Sequence, residues 1–146
     1  MIYFIDEDEL QLRPLRVELS LRQMPTEQIL NADEALRCAS TFTSADFLFI
    51  DVMLAVAADE TKSQFARTET DDYKLTGLKL VEKLRAKNPA LQVKHMILMS
   101  QSASKKLKDR IRQFADDSGI RYIQKSAYDD PVSFGDDVMT IVQAGS

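Results

Sequence analysis

The chain has 146 residues, 45% of them hydrophobic and 29% charged, with a formal net charge of -4 at pH 7, which suits one globular domain with one core. That acidity disfavours unspecific binding to nucleic acid or anionic membrane, and no run of about 18 apolar residues is there to span a bilayer. The single cysteine, Cys38, and an opening MIYFID without a basic stretch or cleavage site agree with a reducing, cytoplasmic setting.

Short apolar runs alternate with stretches of helical period. MIYFI at 1–5 reads as the first strand. The first helix is marked by Leu10, Leu15, Val17, Leu19 and Leu21 and ends near Met24-Pro25, with Pro14 in its first turns or at a kink. EQILN at 27–31 is a weaker second strand, and ADEALRCAS at 32–40 a second helix with Ala35, Leu36 and Ala39 on one face. FLFI at 47–50 is the third strand; the third helix carries Leu75, Leu78, Leu80, Val81 and Leu84 and stops at Asn88-Pro89. HMILM at 95–99 is the fourth strand, opening on a structural His95. The fourth helix runs from roughly Ser104 to Asp117, with Leu107, Ile111, Phe114 and Ala115 at helical spacing and Ser118-Gly119 as its stop. RYIQ at 121–124 is the fifth strand, and the fifth helix runs from about Asp130 to Gln143, with Pro131 at its first position and Val138, Ile141 and Val142 inward. This alternation predicts an α/β fold: a five-stranded parallel sheet, doubly wound, with helices on both faces. No repeat, low-complexity segment or Gly/Ser linker divides the chain, so residues 1–146 read as one domain.

In an open sheet of this kind the functional crevice lies at the carboxyl ends of the strands. The first strand ends in Asp6-Glu7, the third in Asp51, the fourth in Ser100 followed by Gln101 and Ser102, and the fifth in Lys125 followed by Ser126. Carboxylates gathered at one rim repel each other unless a cation joins them, and hard oxygen donors with room for water suit Mg2+. The lysine and the hydroxyl supply donors for phosphoryl oxygens. The chemistry suggested is phosphoryl transfer to a carboxylate.

These residues resemble the receiver (CheY-like) domains of two-component response regulators over nearly the whole chain. The acidic pair in YFIDED, the acceptor in FIDVML, the hydroxyl in ILMSQSAS and the lysine in YIQKSAY stand in the family's order, on the expected strands. The resemblance implies a flavodoxin-like fold with Asp51 as phosphoacceptor and with Asp6, Glu7, Asp51 and the main-chain carbonyl of Met53 around Mg2+. It implies that Ser100 is the switch hydroxyl, that Lys125 pairs with the phosphoryl group, and that Tyr122 is the aromatic that turns with the switch. Gly77-Leu78 matches the glycine that opens the third helix. The resemblance further implies a regulator and not an enzyme, beyond slow autodephosphorylation. Its donor would be a sensor histidine kinase or phosphotransfer protein, and its target a downstream protein or output domain. A homodimer through the fourth helix, fifth strand and fifth helix also belongs to it. No output domain is read in the sequence.

Four positions depart from the family's pattern: Glu7 for aspartate, Ala55 for proline, Gln101 for a small residue, and Ser126 for the proline that usually follows the lysine through a cis bond. A non-prolyl cis bond costs roughly 2.5 to 4 kcal/mol, which leaves the geometry after Lys125 open. The stretch from Asp51 to Gly77 is far longer than the family's, so residues 56–74 read as an insertion, either mobile and solvated or partly helical as a lid or partner contact. These departures keep open a degenerate receiver that acts as a phosphorylation-independent binding module. A third reading is a haloacid dehalogenase-like phosphatase using Asp6 and Asp8 of FIDEDEL, although Glu9-Leu10 stands where that family has Gly-Thr or a near equivalent.

Overall fold

A computed structural model of the chain describes residues 1–101 and 104–145; the expectation placed on Ser102 lies outside the described residues. Five strands, β1 (Ile2–Ile5), β2 (Thr26–Ile29), β3 (Phe47–Asp51), β4 (Met96–Ser100) and β5 (Arg121–Gln124), alternate with five helices, α1 (Glu9–Leu21), α2 (Ala32–Arg37), α3 (Thr76–Lys87), α4 (Lys105–Ser118) and α5 (Pro131–Gly145). The strands form one sheet in the order β2-β1-β3-β4-β5, every pair parallel. Ile5 lies beside Ile50, Ile50 beside Leu98 and Leu98 beside Tyr122, so the strand ends are level across the sheet.

The doubly wound arrangement follows from alternation within buried strands. Ile2, Phe4, Phe47, Phe49, Ile97 and Met99 face α1 and α5 and pack with Leu12, Leu15, Leu19, Phe134, Val138 and Ile141. Ile5, Leu48, Ile50, Met96 and Leu98 face the other way, toward α2, α3 and α4, and meet Leu36, Leu80, Leu84 and Ile111. Every residue of β3 and β4 is buried, as central strands covered on both faces must be.

Local chemistry sets the helix ends. Asp8 caps α1 by accepting from Gln11 N at 3.0 Å, and Asn31 caps α2 by accepting from Glu34 N at 2.8 Å. Ser104 caps α4, and Gly119, with φ of 75°, closes it in the left-handed conformation that glycine adopts without strain. Asp130 accepts from Ser133 N at 2.7 Å ahead of Pro131, the first residue of α5. Pro14 lies inside α1, where it offers no N–H to the carbonyl of Leu10, a residue itself 76% exposed.

Some boundaries and faces differ from the sequence expectation. Strand β2 begins at Thr26 and ends at Ile29, and His95 belongs to a 3-10 turn (Val93–His95) that precedes β4. There His95 stacks on Phe47 and its Nε2 lies 2.8 Å from the Gly145 carbonyl. Of the five apolar residues that mark α1, only Leu15 and Leu19 are buried, with Leu12 as the third; Leu10, Val17 and Leu21 face solvent. At about 100° per residue they fall on the side away from the Leu12, Leu15 and Leu19 stripe. No helix among the described residues is long and apolar enough to cross a membrane.

The connection between β3 and α3, residues 52–75, is folded against the domain. Asp33, in the first turn of α2 and 1% exposed, accepts from Ala57 N at 2.8 Å, Ser63 Oγ at 2.7 Å and Gln64 N at 2.7 Å. Phe65, 2% exposed, packs in the core beneath the ammonium of Lys83, which lies 4.7 Å from its ring and donates to the Gln64 carbonyl at 2.6 Å. Arg67 holds Glu60 at 2.8 Å and also pairs with Asp72. A 3-10 turn at Glu60–Lys62 is the helical element of this segment. Asp71, Asp72 and Tyr73 then adopt left-handed φ angles of 51°, 55° and 67°, a run that for residues other than glycine costs roughly 1–2 kcal/mol each. Bonds from Asp72 N to the Arg67 carbonyl at 2.8 Å and from Leu75 N to the Thr70 carbonyl at 2.9 Å hold it.

Candidate functional site

The carboxyl ends of β1, β3 and β5 bring three of the sequence-selected side chains into one buried cluster. Asp6, Asp51 and Lys125 are 1%, 8% and 8% exposed. The Lys125 ammonium makes a close ion pair with Asp6 Oδ2 and stands 3.5 Å from Asp51 Oδ1. Asp6 is further tied by its Oδ1, which accepts from Asp8 N at 2.9 Å, and by its carbonyl, which accepts from Gln28 Nε2 at 2.8 Å. Glu7 is exposed, but one oxygen each of Asp6, Glu7 and Asp51 can lie within 4.8 Å of one another.

Electrostatics follow from that crowding. Burial, opposed by Lys125 but reinforced by Asp6 and Glu7, raises the Asp51 carboxyl from 3.8 to about 7. For Lys125, burial alone would lower the ammonium; Asp51 and Asp6 together overturn that and hold it above its ordinary value. The site therefore concentrates negative charge where little water reaches, an arrangement suited to binding a cation or to carrying chemistry on a carboxylate.

Asp51 is held in place by a glycine. Gly77 N donates to the Val52 carbonyl at 2.9 Å, and a Cβ added at Gly77 would lie 2.2 Å from the Asp51 carbonyl oxygen and 2.9 Å from the Val52 Cα. Only a residue without a side chain lets α3 start this close to the strand. Met53 stands on the turn just after Asp51, 48% exposed.

Ser100, 4% exposed at the end of β4, hydrogen-bonds through Oγ to the Tyr122 hydroxyl of β5. The departing residues have partners too. Ala55 N donates to Glu7 Oε2 in a long bond of 3.4 Å, a donor that proline lacks. Gln101 accepts from Gln11 Nε2 through its side chain and from Ser126 Oγ at 3.0 Å through its carbonyl, linking α1, β4 and β5 along the rim. The peptide bond after Lys125 is trans, like every other among the described residues. Asp8 turns away to its capping role and does not join the cluster.

Two features escape the sequence reading. Asp33 carries no local signature, because its partners lie more than twenty positions on. The Gln11 to Gln101 bond joins α1 to the residue after β4 across ninety positions; Gln101 stands out in the sequence by position alone, and Gln11 carries no signal.

No protein-family model matches the sequence, and no curated protein matches it. Solved structures do. A response regulator receiver domain protein (CheY-like) from Methanospirillum hungatei superposes with a TM-score of 0.65 at 18% identity, over 99% of this chain and 94% of that one. A response regulator receiver protein from Pseudoalteromonas atlantica gives a TM-score of 0.66 at 18% identity, over 99% and 98%. A response regulator from Burkholderia pseudomallei, solved with a phosphorylated aspartic acid, calcium ion and citrate, gives 0.60 at 21% identity, over 97% of this chain and 65% of that one. With five parallel strands in the order β2-β1-β3-β4-β5 and helices on both faces, this chain has the flavodoxin-like fold of the CheY-like receiver domains of response regulators.

Proposed function

We propose that the protein is a phosphoacceptor receiver domain spanning residues 1–146, with the segment at about 56–74 as an insertion, phosphorylated on Asp51. The observation that carries this reading is the meeting of Asp6, Glu7, Asp51 and Lys125 at the carboxyl ends of β1, β3 and β5, three carboxylates and one ammonium gathered at one rim. In the reaction, an ionised Asp51 oxygen attacks the phosphorus of a phosphohistidine or of a small acyl phosphate. The bond from phosphorus to the donor breaks as the bond to Asp51 forms, and the electron pair leaves with the donor. Lys125, already 3.5 Å from Asp51, then pairs with the phosphoryl oxygens. Ser100 follows, and because its hydroxyl is bonded to that of Tyr122, the aromatic moves with it. This remodels the surface of α4, β5 and α5, where a downstream protein, an output domain or a second copy would bind. Later attack by water releases phosphate and restores the carboxylate, a slow reset and not turnover of a substrate.

The residues fit Mg2+: three carboxylates offer oxygens within 4.8 Å of one another, and such hard donors suit that ion. Asp6, Glu7, Asp51 and the Met53 main-chain carbonyl would hold it. Its charge would screen the carboxylates from the approaching phosphoryl oxygens. A sensor histidine kinase or phosphotransfer protein is the donor this chemistry calls for, and the outward face of α1, which starts at the rim and exposes Leu10, Val17 and Leu21 along its length, offers such a partner an apolar contact. A cytoplasmic setting goes with these partners.

A binding-only receiver is the second reading, favoured by the Gln11 to Gln101 link along the rim and by the Ala55 bond to Glu7. Acetyl phosphate with Mg2+, followed by intact-mass measurement, separates the two. The phosphoacceptor gains the mass of one phosphoryl group, and Asp51→Asn abolishes the gain. A chain that gains nothing, or gains it equally without Asp51, is not a phosphoacceptor at this residue.

A further inference from the structure

The 52–75 connection meets α4 across a cleft of about 380 Å³, with Met53, Asp71 and Lys74 on one side and Lys106, Leu107 and Arg110 on the other. Charge here runs against that of the whole chain. The net charge is -4, yet the stretch of α4 from Lys105 to Arg112 carries Lys105, Lys106, Lys108, Arg110 and Arg112 against Asp109 alone, with Lys106 and Arg110 lining the cleft. Lys106 and Arg110, and Lys108 and Arg112, stand four positions apart, a spacing at which like charges destabilise a helix. Among the described residues only Arg110 of this group takes part in an ion pair, with Asp71 at 3.4 Å, the two being 54% and 50% exposed. The cleft also has apolar parts: Met53, 48% exposed, and half-buried Leu107.

We infer that this cleft docks an acidic segment of a partner protein, with carboxylates on Lys74, Lys106 and Arg110 and an apolar side chain against Met53 and Leu107. Charge complementarity selects the occupant. A carboxylate of the chain itself, Asp71, already rests on Arg110 at 3.4 Å with both side chains exposed, a weak pair that an incoming carboxylate can replace. An unbranched, polarisable methionine adapts to varied apolar side chains. A nucleic acid fits less well, because its backbone needs a row of cations and suffers from the chain's net negative charge and from Asp71 in the cleft wall. Met53 lies two positions after Asp51, so a docked segment sits at the edge of the carboxylate cluster. Docking needs no phosphoryl group, and the inference stands or falls apart from the phosphoacceptor reading.

The test titrates the full chain, without phosphoryl donor, with a fluorescent Glu-Glu-Leu-Glu-Glu-Leu peptide, and with a single-stranded thymidine oligonucleotide as competitor class. Amide NMR shifts should centre on Met53, Lys74 and the first two turns of α4. The double variant Lys106→Glu, Arg110→Glu, folded by the same spectrum, should bind the peptide about tenfold more weakly. Asp71→Asn should bind it about threefold more tightly once the internal competitor is gone. Absent saturable binding, shifts elsewhere, affinity unchanged in the double variant, no tightening in Asp71→Asn, or tighter binding of the oligonucleotide would each overturn the inference.

Discussion

Asp33 and Asp51 are both buried carboxylates, 1% and 8% exposed, and their surroundings treat them in opposite ways. Around Asp33, burial by itself would raise the carboxyl, but Gln64 N, Ala57 N and Ser63 Oγ donate to it and hold it below its ordinary value. Around Asp51, burial is reinforced by Asp6 and Glu7 and only partly offset by Lys125, which leaves it near 7. Neutral donors satisfy a buried charge where it stands; like charges leave it seeking a cation or a covalent partner. The first acid closes a structure, and the second is left with charge that its neighbours do not neutralise.

Breaking the satisfied acid should have the largest effect. Asp33→Ala removes the acceptor shared by three donors and should cost about 3 kcal/mol, read by urea unfolding. Amide exchange should quicken across residues 57–75, and unchanged protection there would show that Asp33 does not hold the segment. Gly77→Ala drives a Cβ toward the Asp51 carbonyl and should cost roughly 2–3 kcal/mol; an unaltered midpoint would mean that α3 shifts freely. Asp51→Asn should act in the other direction, stabilising the protein by on the order of 2 kcal/mol at pH 8 without divalent ions. Tyr122→Phe, which deletes one side of the bond to Ser100, should cost about 1 kcal/mol.

The same contrast sets the pH dependence. With Asp51 at about 7 in the folded chain and 3.8 unfolded, the folded state holds the extra proton between those values, so stability falls as pH rises through that window. Asp51→Asn should flatten that fall. The contribution of Asp33, whose folded value is depressed, is in place above about pH 4 and is lost as pH drops through the folded value. Denaturant midpoints of the parent and both variants across that range would show whether the two acids trade places.

Strand positions were legible because central strands buried on both faces must be apolar up to the rim, as Phe47, Leu48, Phe49 and Ile50 are before Asp51 and Met96, Ile97, Leu98 and Met99 are before Ser100. The rim was legible because topology sends strand ends to one edge, so Asp6, Asp51 and Lys125 had to be near one another. The face of α1 was not. That helix has apolar residues on both sides, and counting them does not tell Leu12 from Leu10. Edge strand β2, with only Ile29 buried, lacks the pattern that fixes a boundary. The Asp33 latch was illegible for another reason: a hydrogen-bonded carboxylate is set by residues that arrive from elsewhere in the chain, and no spacing announces them.

The most direct measurement is to locate the loaded carboxylate. The chain would be treated with acetyl phosphate and Mg2+, reduced with borohydride so that an acyl phosphate becomes an alcohol, and mapped by peptide mass. Homoserine at position 51, absent after Asp51→Asn, is the predicted result. Conversion at Asp6, Glu7 or Asp33, or at no carboxylate at all, would contradict the account.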